Sequence, residues 1–190
     1  SGEGLPAARN LGIKAFEGDV ILFLDDDTLL EEDVVRSLAT FLKTHSSALG
    51  VQPKILSSTY NGNDHGTTKR LENAFYKVFM LSYHEKNKLV VRWAGTSLLP
   101  FPLTKIISAQ RLSGCCCCYK REVFDGLSFD TNLKRWGFME DLDFSYRVYK
   151  KNPGSLYAIP HAKIIHTASG EARLPTKQRI YMTTIYWFYV

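Results

Sequence analysis

Val20-Ile21-Leu22-Phe23-Leu24-Asp25-Asp26-Asp27-Thr28 is the stretch whose reading decides the fold. Five apolar residues run without interruption into three aspartates. A half-buried strand would alternate apolar and polar, so the unbroken run reads as a strand buried on both faces, the kind found in parallel sheets. In open α/β sheets ligands bind outside the carboxyl ends of the strands. The aspartates therefore stand where a ligand belongs. Adjacent carboxylates repel one another and resist desolvation. A hard divalent cation, Mg²⁺ or Mn²⁺, is the simplest group that offsets this. The competing reading is a solvated acidic loop leading into the next helix.

Helical patterns flank this strand. Pro6 suits the first position of a helix over Ala7–Phe16 that ends at Gly18, with Ala8, Leu11, Ala15 and Phe16 at core spacing. Arg9 lies in its first turns, where the helix dipole disfavours a cation. Either Arg9 faces an anion or it is a surface arginine. Downstream, Glu31, Glu32 and Asp33 open a second helix with Val34, Val35, Leu38, Phe41 and Leu42 as its inner face. Leu49–Leu56 reads as a strand, and Pro53 within it places it near a sheet edge. A polar loop over Ser57–Thr68 precedes a helical pattern over Lys69–Tyr83. Leu89–Ile107 holds Gly95, Pro100 and Pro102 and reads as a short hairpin or an excursion over the sheet.

At 190 residues one domain is expected, with ample length for a core. The net charge of +5 weakly favours anionic partners. No nucleic-acid-reading motif and no dense Lys/Arg run accompanies it, so nucleic acid is not an expected partner. All four cysteines are consecutive, Cys115 to Cys118. Neighbours on a strand point to opposite faces, so the run supplies neither a four-ligand zinc site nor a disulfide framework. It reads as a buried strand using cysteine as a small hydrophobe, in keeping with a reducing, cytoplasmic compartment. No apolar run reaches the roughly 18 residues of a membrane span.

A second acidic cluster, Glu140-Asp141-Leu142-Asp143, opens a helix to about Lys151 with Met139, Leu142, Tyr146 and Tyr149 as its expected inner stripe. Glu140 and Asp141 fall off that stripe, in the first turn, where the positive helix end favours their charge. Capping plus an Asp143–Arg147 pair explains them structurally. A carboxylate kept as a general base explains them functionally. Ser155–Ile159 and Lys163–His166 read as two short strands around Pro160-His161, and His166 emerges at a strand end. A lone histidine is most often structural or exposed, but two acidic clusters raise its standing as a metal ligand.

These residues carry a family resemblance. GLPAARNLGIKAFEGDVILFLDDDT resembles the core of family 2 glycosyltransferases of the GT-A fold, with their ARN-x-G helix and a strand ending in D-x-D. SGCCCCYKREVF is similar to their small-residue strand and short basic helix, and WGFMEDLDFSYRV to their ED motif and following helix. His166 resembles their downstream metal-ligand histidine. The resemblance implies an α/β, Rossmann-like GT-A fold with a mixed sheet flanked by helices, lacking the family's opening strand-helix-strand unit. It implies a partial catalytic domain over residues 1–170 and a C-terminal aromatic segment over 171–190. It implies Mg²⁺ or Mn²⁺ as cofactor, a nucleotide-diphospho-sugar as donor, and a glycan, polysaccharide or lipid-linked acceptor. By position, Asp27 and His166 would hold the metal. Asp25 or Asp26 would contact the nucleoside side, and Arg9 would lie near the nucleotide. Gly114 would let the chain pass close to donor sugar or acceptor. Asp141 would be the general base of an inverting displacement, with Glu140 beside it contacting the acceptor.

Two further readings compete with this one. A haloacid-dehalogenase-type phosphatase requires threonine four residues after its first aspartate; from Asp25 that position is Leu29, and Thr28 comes one residue early. A non-catalytic nucleotide-sugar or glycan-binding module has no need of a base such as Asp141. The tail, with Lys177, Arg179, Tyr181, Tyr186, Trp187, Phe188 and Tyr189, reads either as an interfacial helix at the cytoplasmic face of a membrane or as a helix packed in a core.

Overall fold

The computed structural model describes residues 4–57, 75–76, 78, 83–91, 97–100, 102–134, 139–167, 177 and 185–186. Helix α1 spans Leu5–Ala15, strand β1 Val20–Leu24, β2 Thr28–Leu30, α2 Val34–Thr44 and β3 Gly50–Ser57. Then come β4 (Tyr83–Glu85), β5 (Val90–Val91), β6 (Ser97–Pro100), β7 (Ile107–Ala109) and β8 (Cys116–Lys120). A 3-10 turn over Arg121–Asp125, helix α3 over Glu140–Lys151 and strand β9 over Leu156–His166 complete the chain order. The expected helix over Lys69–Tyr83, the loop before it and the aromatic tail fall almost wholly outside the described residues. Among those described, no helix is long and apolar enough to cross a membrane.

The main sheet runs β1-β8-β3-β9-β2, with β7 also on β9. It is mixed: β3 and β9 are parallel, and the remaining pairs are antiparallel. β1 is accordingly not the doubly buried parallel strand its composition suggests. Among the described residues it pairs only with β8, antiparallel, and Leu24 is 45% exposed. The doubly buried strand is β8. Cys116 and Cys118 pack toward α2 with Leu38, Phe41 and Ile164, and Cys117 and Tyr119 toward α3 with Phe144 and Val148. Small side chains suit a strand with layers on both faces. Burial pushes the thiols of Cys115 up to about 11 and of Cys116 and Cys118 up to about 12, so they pack as apolar groups.

Proline does not mark an edge or a break here. β3 lies between β8 and β9, and Pro53 sits where the β3–β9 register shifts, Pro53 facing Ile159 and Lys54 facing Lys163. Three residues, Pro160, His161 and Ala162, bulge out of β9 at that point. A bulge absorbs a missing ladder donor. The two strands expected around Pro160 are therefore one strand of eleven residues. Leu89–Ile107 contributes β5 and β6 to a small sheet in which β6 pairs antiparallel with β5 and parallel with β4.

The helix faces differ in part from the periodicity. α2 buries Val34, Leu38, Phe41 and Leu42, while Val35 is exposed. α1 buries Pro6, Ala7 and Arg9 instead of the stripe through Leu11, which is 58% exposed. α3 buries Glu140, Leu142, Phe144, Ser145 and Val148, and Phe144 stacks on Phe129 at 4.2 Å. The α1 and α3 stripes turn because Arg9 and Glu140 point inward and face each other. Asn10 then pins α1 to the loop before α3: its side chain donates to the Phe129 carbonyl at 2.8 Å and accepts from the Phe129 N–H at 2.9 Å.

Candidate functional site

The carboxyl ends of β1, β3 and β9, the start of β8 and the N-terminus of α3 meet at one edge of the sheet. The turn after β1 is fixed from β8: the Asp25 N–H donates to the Cys115 carbonyl at 3.0 Å, and Thr28 Oγ1 to the same oxygen at 3.3 Å. β2 pairs Thr28 with His166. Thr167 donates to the Asp27 carbonyl from its N–H at 3.0 Å and its hydroxyl at 2.9 Å. His166 Nε2 thereby comes within 3.0 Å of Asp27 Oδ1. Asp25 closes the group: one ligand atom each from Asp25, Asp27 and His166 lies within 4.8 Å of the other two. Asp26 is adjacent in the chain but not part of this group. Two carboxylate oxygens and one imidazole nitrogen form a donor set that suits Mn²⁺ or Mg²⁺. Burial raises Asp25 above the ordinary carboxylate range, Arg9 opposes that, and Asp27 adds to it.

Arg9 joins the two acidic clusters. It lies over the rings of Phe23 and Phe129, with its guanidinium carbon 5.6 and 5.3 Å from their centroids. Its Nη1 lies 2.9 Å from Glu140 Oε1, off the hydrogen-bond direction, and its Nη2 lies 3.6 Å from Asp25 Oδ1 and donates to the Gly114 carbonyl at 3.3 Å. The anion facing this helix-start cation is thus the protein's own carboxylates. Glu140, expected off the inner stripe, is 6% exposed and turned onto Arg9. Gly114 is required by packing: a Cβ there would meet the Arg9 guanidinium at 2.9 Å and Asp141 Cβ at 3.1 Å.

Asp141 is held on every side. Its Oδ2 accepts the Gly114 N–H and Arg111 Nη2, both at 2.9 Å, and its Oδ1 accepts the Leu142 N–H at 2.7 Å. Ser145 Oγ donates to the Asp141 carbonyl one turn on. The expected Asp143–Arg147 pair forms, with Arg147 Nε 3.0 Å from both carboxylate oxygens. Sequence reasoning missed Arg111, Thr28 and Thr167. Each reaches its partner through strand register or a loop, and no local motif signals it.

Burial pushes Glu140 up to about 8 from its ordinary 4.5, Asp141 adds to the rise, and Arg9 opposes it. The native state then holds a proton that the unfolded chain releases between those two values. Stability from this group is present below pH 4.5 and is lost as pH rises through about 8. Melting temperatures of the wild type should fall across that window. Glu140→Gln should flatten the fall, and an unchanged slope in the variant would remove Glu140 as its source.

Comparison with known proteins gives a consistent family. A family model described as glycosyl transferase family 2 matches residues 1–128. No curated protein matches the sequence significantly. Among solved structures the chain resembles GalNAc-T7 crystallised with UDP, GalNAc and Mn²⁺, at 20% identity and TM-score 0.61, over 96% of this chain and 35% of that one. It also resembles TarS of S. aureus, at 18% identity and TM-score 0.52, over 86% of this chain and 40% of that one. A mycobacterial protein shares 12% identity at TM-score 0.51, over 95% of this chain and 48% of that one. The chain spans less than half the length of these proteins. At such identities the likeness speaks to the fold, which is the GT-A fold. The family match covers two thirds of the chain, and the chain belongs to glycosyl transferase family 2.

Proposed function

We propose that the chain carries the catalytic centre of a metal-dependent, inverting glycosyltransferase that moves a sugar from a nucleotide-diphosphate donor to an acceptor hydroxyl. The observation that carries the reading is the convergence of Asp25, Asp27 and His166 within 4.8 Å, bridged by Arg9 and Gly114 to Asp141. Asp27 and His166, with Asp25, would hold Mg²⁺ or Mn²⁺, which when bound supplies charge that offsets the leaving diphosphate. Asp26 and Arg9 stand on the nucleotide side. Asp141 takes the acceptor proton as that oxygen attacks the anomeric carbon and the bond to the diphosphate breaks. Attack opposite the leaving group inverts the anomeric centre. Glu140 fixes Arg9 beside the base. The donor's likeness to UDP is supported by GalNAc-T7, whose structure holds UDP and Mn²⁺.

The acceptor is a glycan, polysaccharide or lipid-linked hydroxyl. The buried cysteines fit a cytoplasmic setting, and the aromatic tail would supply contact with the membrane face. Incubation of the complete protein with Mn²⁺ and a panel of UDP-sugars should release UDP, with product of inverted configuration by NMR. Retained configuration would sink the single-displacement mechanism, and metal-independent release would sink the metal's role.

His166→Ala should weaken Mn²⁺ binding by at least the ~10-fold that losing even an outer partner of a metal site costs. Folding should change by about 1 kcal/mol or less, since the side chain is partly exposed at a strand end. A collapsed melting temperature with intact Mn²⁺ affinity would instead make His166 structural.

A further inference from the structure

We propose that Arg111 is a positioning residue for the reaction: it locks the Asp141 carboxylate so that a single lone-pair direction, on Oδ1, remains for the acceptor hydroxyl. The inference rests on the transferase reading above and goes beyond it by naming the proton-accepting atom and what orients it. An ionised carboxylate offers about four lone-pair sites. Among the described residues Asp141 uses both sites of Oδ2, on Arg111 Nη2 and the Gly114 N–H, and one of Oδ1, on the Leu142 N–H. The fourth, on Oδ1, accepts the acceptor proton. The acceptor oxygen forms its bond to the anomeric carbon, and the electrons of the broken carbon–oxygen bond leave with the diphosphate.

Two of the three donors are backbone and cannot swing. Arg111 supplies the third and sets the carboxylate plane. It is itself held at its far end, where Nη1 donates to Ser97 Oγ at 3.2 Å on β6. Its Nε is buried without a hydrogen bond among the described residues, so the fork alone places it. Gln110 repeats the arrangement one residue earlier. It accepts from the Val91 N–H of β5 at 2.9 Å and donates to Tyr149 Oη of α3 at 3.2 Å. Successive residues thus tie the small sheet to the helix that carries the base. A lysine offers a point charge in place of a planar fork and cannot span Ser97 and Asp141 in the same way.

The test uses the complete protein with Arg111→Ala and Arg111→Lys. Amide hydrogen exchange needs no substrate and is read first. In Arg111→Ala the Gly114 amide should exchange about tenfold faster or more, while Cys117 and Val148 keep their protection. Arg111→Lys should recover part of it, and carries the same readout if the alanine variant fails to fold. Unchanged Gly114 exchange overturns the proposal. Turnover of UDP-glucose and UDP-N-acetylglucosamine with Mn²⁺ is read second. kcat should fall about a hundredfold with the UDP dissociation constant within about twofold of wild type. A kcat close to wild type, or UDP affinity falling in step with kcat, overturns it. If Arg111→Ala shows the Gly114 effect while the wild type turns over neither sugar nucleotide, the transferase reading itself sinks, and Arg111 is a structural brace.

Discussion

Asp141→Asn should reduce sugar transfer by about 10²- to 10⁴-fold, the range for removing a general base, while Mn²⁺-dependent nucleotide binding stays intact. The substitution keeps shape but removes the proton acceptor. The neighbours dictate how the amide sits. Arg111 and the Gly114 N–H both donate toward Oδ2, so the amide oxygen must face them. The NH₂ group then faces the Leu142 N–H, a donor against a donor. Loss of that bond costs about 1–3 kcal/mol, so assays belong well below the variant's melting temperature. Turnover that survives the substitution would take the base role away from Asp141. Loss of nucleotide binding in parallel would make Asp141 part of the donor site.

Arg9→Met should cost about 3–5 kcal/mol at pH 9, the penalty for stripping the partner from a buried charge. Methionine keeps an apolar side chain beside Phe23 and Phe129 while removing the guanidinium, which isolates the charge effect. Without Arg9, Glu140 loses its cation, and the charges of Asp141 and Asp25 oppose its ionisation. The penalty should shrink at pH 6, where Glu140, already raised to about 8, holds a proton. Addition of Glu140→Gln should recover part of the loss at high pH. Urea midpoints at the two pH values read the effect directly. A loss below about 1 kcal/mol at pH 9, the level of a solvent-exposed pair, would mean that the Arg9–Glu140 contact is not a buried ion pair.

Much of the fold was legible because it is written in short-range pattern. The apolar run into Asp25–Asp27, Pro6 at a helix start, the cysteine strand and the acidic start of α3 each declare an element locally. Strand neighbours are not local, and that is where the reading failed. β1 looked like an inner strand, yet the inner strand is β8, whose cysteines read as small apolar residues on both faces. Pro53 and Pro160 signalled an edge and a break, but the β3–β9 bulge absorbs both. β2, three residues long, carried no signal at all, and it brings His166 to Asp27. Periodicity set Glu140 off the inner stripe and left Arg9 open between facing an anion and lying on the surface. Charge complementarity across two helices, invisible to either periodicity alone, turns both inward.

Calorimetric titration of UDP, dTDP and GDP into the complete protein, with and without Mn²⁺, tests the central claim most directly. The account predicts that one nucleotide binds, that binding requires the metal, and that Asp27→Ala abolishes it. Equal affinity with and without Mn²⁺, or no binding of any of the three to folded protein in Mn²⁺, would contradict it and favour a glycan-binding role for this fold.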